Sequence, residues 1–344
     1  MIEINDIATP EWLNQSLKEA GFLNDGQVKK VIPHPQKLTF FSAPKVASLE
    51  IQYSDDCISP PPNLLLKIAN GVKECIFFSE ISPIMENSEI IKCYYAKHSS
   101  ENEQSYFLLE DVTSTHFQTD WPIPPQIHQC FNAIDCVAKI HSFWWDHPRL
   151  KKDLLEKCNQ GNHWSGRINL AVSNLSAFFD FIGDRLSQER KQIYERVLSS
   201  SDQTWRPRQA ENGQTLLHGD AHFWNFLYPL ENGMDKIRII DWNSWDIGRA
   251  TDDLAYMIGL HWYPDHRKVY EINLLKNYHT RLQESNIHYQ WDELWQDYRK
   301  STIMNLFIPV WQWHRGINAA VWWSHLERGF SAYHDLDCAA VLGK

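Results

Sequence analysis

The alternation of apolar and polar positions divides the chain into a front part with strand patterns and a back part with helical patterns. Thr9 and Pro10 predict the start of a helix, with Thr9 as the N-cap and Pro10 at the first helical position. Short apolar runs bounded by Pro, Asn, Asp or Ser then predict antiparallel strands in VKKVIPHP, VASLEIQYSD, NLLLKIAN, EIIKCYYAKH and QSYFLLEDV. Apolar residues at helical spacing from Val72 to Ile81 predict one helix between the third and fourth strands.

From Pro125 onward the chain changes to long helical stripes, as in QIHQCFNAIDCVAKIHSFWW. Composition divides the chain between Leu109 and Thr115 into a sheet-rich front part and a helix-rich back part. We therefore predict an α+β protein with a sheet-rich lobe over residues 1–111 and a mainly helical lobe over residues 112–344. Two segments interrupt the helical part, TLLHGDAHFWNFLYP and DKIRIIDWNS, and each joins an apolar run to a polar, loop-like one.

Composition narrows the classes of partner. The chain has 33 Lys and Arg against 43 Asp and Glu, a net charge of −10, which disfavours nucleic acid or an anionic membrane as the main partner. Its seven cysteines show neither CxxC pairs nor zinc-ligand spacing. The acidic start and the lack of a long uncharged apolar run predict a cytoplasmic protein.

In the first interrupting segment, Asp220 is followed five residues later by Asn225, which is the spacing of the catalytic loop H-R-D-x-x-x-x-N. A carboxylate there can accept the proton of an attacking hydroxyl. The amide oxygen can bind a metal ion that neutralises phosphate charge. The motif therefore predicts phosphoryl transfer.

A second metal ligand is offered by Asp241, sixteen residues after Asn225 and at the end of a strand-like run. Mg²⁺ prefers carboxylate, amide and phosphate oxygens, and these two residues with a nucleotide supply them. His218 and His222 suggest a different metal site, but no further His or Cys lies nearby at ligand spacing.

Upstream, Lys67 ends an apolar strand and Glu74 follows seven residues later on the predicted helix. This order matches a phosphate-binding lysine and its glutamate partner. Glu80 lies nearly two turns further along and is the less favoured partner.

With these residues assembled, the chain resembles the aminoglycoside phosphotransferase and choline kinase group of protein-kinase-like enzymes, and most closely its ecdysteroid kinase-like members. The resemblance runs from about Val31 to Tyr256, through LLLKIAN, KECIFFSEISP, KCYYA, FLLEDV, VAKIHSFWW, LLHGDAHFWN and IIDWNSWDIGRATDDLAYMI. It implies a bilobal protein-kinase-like fold with an N-terminal antiparallel sheet lobe and a mainly helical C-terminal lobe.

The resemblance also implies a role for each matched residue. Asp220 would be the catalytic base, and Asn225 and Asp241 would hold Mg²⁺. Lys67 would contact phosphate while Glu74 holds Lys67 in place.

Further matched positions concern the nucleotide and the loop. Residues Glu110 to Val112 match the family hinge, whose backbone groups hydrogen-bond adenine, and Asp253 matches an aspartate that supports the catalytic loop. The turn expected over the phosphates, residues 37–45, has no glycine, although close approach of backbone to phosphate favours one. Ser42 is a substitute donor in that turn, and the nucleotide is ATP or GTP.

Other polar and aromatic residues have structural interpretations. His141 lies on an apolar stripe, which favours a satisfied core histidine, and His218 and His222 are expected to orient the loop. Four tryptophans near the C-terminus have two interpretations: core packing, or an apolar wall or cationic cage in the acceptor pocket. These are Trp311, Trp313, Trp322 and Trp323.

We therefore predict a magnesium-dependent kinase that moves the γ-phosphate of ATP or GTP to a hydroxyl of a small metabolite or antibiotic. The acceptor is expected to be neutral or cationic, with apolar or aromatic character. The reason is that the C-terminal segment with these four tryptophans, here called the tail, is richer in tryptophan than in carboxylates. The alternative is a catalytically weak, nucleotide-binding pseudokinase that acts through a protein partner, an interpretation favoured only by the missing glycines.

Overall fold

The computed structural model describes residues 3–36, 45–85, 89–158, 163–207, 212–230 and 236–342. Ser42 and most of the predicted phosphate-covering turn lie outside these residues. The chain forms two compact units, one of Met1–Ile123 with Phe226–Asn243 and one of Pro124–Asn225 with Ser244–Lys344. A lobe boundary between residues 111 and 112 stays a prediction.

Strands and helices come in consecutive groups along the described residues. The strands are β1 Val28–Pro35, β2 Lys45–Tyr53, β3 Leu64–Asn70, β4 Cys93–Ser99, β5 Gln104–Glu110, β6 His116–Phe117, β7 Gln214–Leu217, β8 Phe226–Pro229, β9 Arg238–Ile239 and β10 Asp246–Arg249. The α-helices are α1 Ile4–Ile7, α2 Pro10–Glu19, α3 Lys73–Ile76, α4 Ile127–Trp144, α5 Asp153–Cys158, α6 Trp164–Ser173, α7 Leu175–Ile182, α8 Gln188–Ser199, α9 Ala250–Leu254, α10 Pro264–Glu284, α11 Trp291–Asn305, α12 Ile308–His314 and α13 Ala319–Asp335.

The first unit is built on a five-stranded antiparallel sheet in the order β1-β2-β3-β5-β4, and a small sheet of β6, β8 and β9 accompanies it. Helix α2 begins as predicted: the Thr9 hydroxyl accepts a hydrogen bond from the Trp12 N–H at 3.2 Å. Its apolar face buries Leu13 and Leu17 in the core that includes Leu66 of β3. Helix and sheet therefore share one hydrophobic core.

The predicted helix after β3 is present but changes geometry. Four α-helical residues, Lys73–Ile76, continue as a π-helix over Phe77–Ile81. The apolar spacing indicated the helix, but not the wider turn.

The second unit consists mostly of helices, with β7 and β10 forming an antiparallel pair that aligns Leu217 with Asp246. Its interior is rich in indole rings. The fully buried tryptophans of this unit are Trp144, Trp164, Trp205, Trp224, Trp245 and Trp262. Much of the chain's tryptophan content is thus explained by core packing.

The predicted α+β class is confirmed, with an antiparallel sheet in the N-terminal part and helices in the C-terminal part. Across the described ranges, no helix has the length and apolar character needed to cross a membrane.

Candidate active site

Three of the predicted residues meet in the first unit, around the side chain of Lys67. Its Nζ lies 2.7 Å from Glu74 Oε1 and 3.2 Å from Asp241 Oδ1. The Trp242 N–H donates to the same Glu74 oxygen at 3.3 Å, and the Trp242 ring stacks on Phe77 with centroids 3.8 Å apart. The residue after Asp241 is therefore anchored to the helix that carries Glu74.

The environment keeps this lysine charged. Burial alone would lower the pKa of Lys67, but the carboxylates of Asp241 and Glu74 raise it above its ordinary value. Lys67 and Glu74 are almost fully buried, whereas the Asp241 side chain remains 28% exposed. Asp241 has a φ of 66°, a left-handed conformation that aspartate tolerates better than most residues.

The predicted adenine-binding segment follows β5 in the same unit. The Glu110 N–H donates to the Lys92 carbonyl at 2.8 Å, and the Val112 carbonyl accepts from the N–H groups of Thr115 and His116. The Val112 N–H has no hydrogen-bond partner among the residues that the structure describes. That N–H is the donor which this segment can offer to a ligand.

In the second unit, the loop after β7 is held by the carboxylate of Asp253. One oxygen accepts from the His218 N–H at 2.7 Å and the other accepts from the Gly219 N–H at 2.9 Å. Asp253 is fully buried on α9, the short helix that follows β10. Two backbone amides satisfy a buried charge here, so the start of the loop is fixed.

His141 supports the same carboxylate from α4. Its Nε2 lies 3.3 Å from Asp253 Oδ2, and its Nδ1 lies 2.8 Å from the Tyr278 hydroxyl. The side chain is 1% exposed, and both ring nitrogens have partners. This is the environment of a satisfied core histidine.

Asp220 and Asn225 lie together within this loop. Asn225 Nδ2 donates to the Asp220 carbonyl oxygen at 2.9 Å, so the amide oxygen is the atom that remains for a ligand. The Tyr256 hydroxyl donates to Asp220 Oδ1 at 2.8 Å, and His222 Nε2 lies 3.9 Å from Asp220 Oδ2. One carboxylate oxygen is therefore fixed, and the other faces an imidazole beyond hydrogen-bond distance.

The charges around Asp220 favour its ionised form. Burial alone would raise the pKa of Asp220, but His222 and Arg167, helped by the Tyr256 hydroxyl, lower it below its ordinary value. Arg167 also donates from Nη1 to the Gly219 carbonyl at 2.9 Å. The carboxylate thus stays available as a hydrogen-bond acceptor at neutral pH.

Arg167 and Tyr256 are functional candidates that the sequence analysis missed. Arg167 lies on α6, more than fifty residues before the loop, and no local pattern connects the two. Tyr256 lies three residues after Asp253, and that short spacing could have suggested a shared face.

Arg167 also contacts one of the four tryptophans near the C-terminus. Its guanidinium lies 5.2 Å from the Trp164 ring centroid and 5.0 Å from that of Trp311. Trp322, by contrast, is 6% exposed and packs on Phe178. The four tail tryptophans therefore do not share one environment.

The predicted metal ligands are hard oxygen donors. Asp241 offers a partly exposed carboxylate in the first unit, and Asn225 offers an amide oxygen in the second. Each of these oxygens is of the kind that Mg²⁺ prefers. Among the described residues, no group of three or more His, Cys, Asp or Glu side chains could hold a metal ion by itself.

Comparison with solved structures shows a shared fold. A candidate aminoglycoside phosphotransferase from Ralstonia eutropha aligns over 95% of this chain and 99% of its own, with TM-score 0.60 and 14% identity. Choline kinase from Streptococcus pneumoniae aligns over 90% and 94%, with TM-score 0.53 and 13% identity. An aminoglycoside phosphotransferase solved with ADP and hygromycin B aligns over 97% and 99%, with TM-score 0.52 and 11% identity.

Comparison of sequences identifies the family. No curated protein sequence gives a significant match. Residues 72–291, which include the Glu74, Asp220, Asn225 and Asp241 positions, match the ecdysteroid kinase-like family. Because this match covers more than half of the chain, the chain belongs to the ecdysteroid kinase-like family of small-molecule kinases.

Proposed function

We propose that this chain transfers the γ-phosphoryl group of ATP, or of GTP, to a hydroxyl group of a small metabolite or antibiotic. The observation that carries the proposal is the Asp220 carboxylate, which accepts a hydrogen bond from Tyr256 on a loop whose backbone is fixed by Asp253. A rigid carboxylate of this kind can orient an acceptor hydroxyl for in-line attack.

Lys67, Glu74 and Asp241 would serve the phosphates. The Lys67 ammonium is a buried cation whose direction is set by two carboxylates, and it would offset charge on the phosphate oxygens. Asp241 and Asn225 would hold Mg²⁺, which supplies further charge neutralisation during transfer. Glu74 would act only by holding Lys67.

Nucleotide binding is supported by the fold and by one backbone donor. A structurally similar aminoglycoside phosphotransferase was solved with ADP and hygromycin B bound. In this chain, the N–H of Val112, two residues after Glu110, is a donor suited to adenine. Ser42 would add a donor toward phosphate from the turn outside the described residues.

The acceptor would be a small hydroxylated molecule that is neutral or cationic and has apolar or aromatic character. Trp311, which is half-buried beside Arg167, offers an aromatic surface close to the catalytic loop. Large rings with a few polar groups are typical of sites that bind such molecules. A screen of hydroxylated metabolites and antibiotics for nucleotide consumption, with mass spectrometry of the product, would identify the acceptor.

The decisive experiment is Asp220→Asn, assayed with the acceptor found in that screen. Because the amide cannot accept the hydroxyl proton, turnover should fall by about 10²-fold or more. The melting temperature and the nucleotide affinity should stay close to those of the wild type. Turnover equal to that of the wild type would remove Asp220 from its proposed role.

A calorimetric titration of Mg²⁺ and nucleotide tests the metal ligands and the pseudokinase alternative. Asp241→Ala should weaken binding more than Asn225→Ala, because a carboxylate contributes a full negative charge to the cation. Equal affinity in the wild type and Asp241→Ala would contradict the proposed metal site. Magnesium-dependent binding without any transfer or hydrolysis in the wild type would instead favour the pseudokinase.

A further inference from the structure

The turn that carries Tyr256 is an unusual element next to the catalytic loop. Helix α9 ends at Leu254, and residues Ala255–Leu260 continue as a π-helix. Such π-helical turns are rare and are frequently found at functional sites. Tyr256 is the second residue of this turn and is 4% exposed.

The Tyr256 side chain is fixed from several directions. The Trp164 ring meets it edge-on, with centroids 5.5 Å apart and planes at 82°. Its backbone carbonyl accepts a hydrogen bond from His261 Nδ1 at 2.8 Å. Trp164 is itself anchored, because its backbone N–H donates to Asp246 Oδ2 at 2.6 Å. The phenol is therefore locked by packing and by backbone contacts.

The locked hydroxyl donates to Asp220 Oδ1 at 2.8 Å. A buried tyrosine hydroxyl usually finds some partner, so hydrogen bonding alone would not distinguish a functional contact from a structural one. The partner here is the carboxylate that the proposed reaction uses to orient the acceptor hydroxyl, and its side chain is still 27% exposed. The hydrogen bond thus joins a rigid group to a partly accessible one.

The chemistry gives this contact a consequence. A carboxylate that rotates freely presents either oxygen, in many directions, to an acceptor hydroxyl. With Oδ1 already accepting from Tyr256, the carboxylate is held in one orientation, and Oδ2 keeps both of its lone pairs for the hydroxyl hydrogen. Burial, with the nearby charge of Asp220, raises the pKa of Tyr256 well above its ordinary value, so the phenol remains a donor.

We propose that Tyr256 is a positioning residue, which fixes the side-chain rotamer of Asp220 so that Oδ2 is presented to the acceptor hydroxyl. This inference rests on the proposed kinase function. During transfer, the acceptor oxygen forms a bond to the γ-phosphorus while the bond to the β–γ bridging oxygen breaks. The hydroxyl proton passes to Oδ2, and Tyr256 keeps its own proton.

The test is Tyr256→Phe, which removes only the hydroxyl and keeps the ring packing. Loss of a hydrogen bond to a charged group, and of the orientation it provides, should lower kcat by about tenfold to a hundredfold. The KM for the nucleotide should be unchanged. A purely structural role would lower stability without this separation of kcat from KM.

Tyr298→Phe is a matched control in the same unit. Tyr298 is also fully buried, and its hydroxyl also donates to a carboxylate, Glu271 Oε1, at 2.7 Å. Both variants therefore lose a hydrogen bond from a buried phenol to a carboxylate. If Tyr298→Phe lowers kcat as much as Tyr256→Phe does, or if Tyr256→Phe leaves kcat unchanged, the positioning role is wrong.

Asp220→Asn separates this inference from the proposed function. If Asp220→Asn lowers turnover to a residual rate that is still measurable and adding Tyr256→Phe causes no further loss, the tyrosine acts through the carboxylate, as proposed. If Asp220→Asn abolishes transfer but Tyr256→Phe is fully active, only the positioning role fails. If Asp220→Asn itself retains wild-type turnover, Asp220 has no role in transfer and the inference fails, although the chain still acts as a kinase. If the wild type transfers phosphate to no acceptor in the screen, the proposed function fails.

Discussion

Lys67 and Glu74 form an ion pair from which water is almost completely excluded, with side-chain exposures of 8% and 2%. Removing two charges from water costs several kcal/mol per ion, and the attraction between them returns that cost only when geometry is favourable. Such pairs therefore contribute little net stability. The second carboxylate, Asp241, is partly exposed and keeps the ammonium charged, so the arrangement is better explained by ligand binding than by folding.

The lowered pKa of Asp220 bears on the timing of proton transfer. A carboxylate with a low pKa is a weak base, so it does not deprotonate an ordinary alcohol to a significant extent in the ground state. In a loose transition state, the bond to phosphorus makes the hydroxyl more acidic as it forms. We therefore expect Asp220 to orient the hydroxyl first and to take its proton late.

We expect His325 to make the stability of the protein depend on pH. Burial, with Arg328 and His222 nearby, lowers the pKa of His325 to about 3, and its Nδ1 lies 3.0 Å from Gln312 Oε1. In the unfolded chain a histidine binds its proton near pH 6.5. Between pH 6.5 and 3 the unfolded state thus binds more protons than the folded state. The free energy of unfolding therefore falls as the pH decreases, by up to about 1.4 kcal/mol per pH unit for one such group.

His325→Asn should weaken this dependence, because asparagine can donate to Gln312 without titrating. Thermal unfolding measured from pH 7.5 to pH 5 should show a smaller decrease in Tm for the variant. His261, whose pKa is also lowered by burial and by its histidine neighbours, would cause the remaining decrease. His288→Asn is the control, since that side chain is exposed. Parallel pH profiles for wild type and His325→Asn would contradict the prediction.

At the scale of elements, the loop after β7, which carries Asp220, depends on one close approach of two backbone segments. Gly219 has a φ of 76°, and a Cβ at this position would lie 1.9 Å from the Ser244 carbonyl oxygen. Both its N–H and its carbonyl are also hydrogen-bonded, to Asp253 and Arg167. Only glycine satisfies the conformation and the space together.

Gly219→Ala should therefore displace the loop and lower both stability and turnover. Gly213→Ala is its matched control, because Gly213 has a similar φ of 74° but a Cβ added there would meet no described atom within 4 Å. The control should lose about 1–3 kcal/mol from backbone strain alone. Chemical denaturation should show a larger loss for Gly219→Ala, and equal losses would mean that the contact with Ser244 is unimportant.

The elements also show how far sequence reasoning reaches. The Thr9 cap and the strands of the first sheet follow from local patterns, and the structure has both. The pairing of Lys67 with Glu74 could be anticipated because strand and helix are adjacent in sequence. The π-helical turns could not, since they depend on how the helices pack. Arg167 was missed for a similar reason: its contact with Gly219 is fixed by tertiary structure.

At the scale of the whole molecule, the predicted chemistry is distributed over two compact units, each with its own fixed group. The first contains Lys67, Glu74 and Asp241, held by ion pairs and by the Trp242 backbone. The second contains Asp220 and Asn225, on a loop held by a buried aspartate. Substitutions in each group can therefore be compared, in the full chain, with control substitutions in the same unit.

The second unit also contains the C-terminal tail, where the structure separates tryptophans that looked alike in sequence. Trp311 and Trp313 are both half-buried on α12. Trp311 lies over Arg167, whereas Trp313 packs on Phe178 and Phe181 of α7. Of these two tryptophans, Trp311 is therefore the one that is linked, through Arg167, to the loop that carries Asp220.

We expect Trp311→Ala to change the KM for the acceptor by about fivefold or more, equivalent to roughly 1 kcal/mol, because it removes an aromatic surface and frees Arg167. Trp313→Ala, on the same helix, should leave that KM close to the wild-type value. Trp322→Ala should instead destabilise the protein by about 3–5 kcal/mol, as expected for a large buried side chain. Melting temperature and acceptor KM measured for all three variants decide the matter. If Trp311→Ala lowers Tm like Trp322→Ala and leaves KM unchanged, the tail is core throughout and takes no part in acceptor binding.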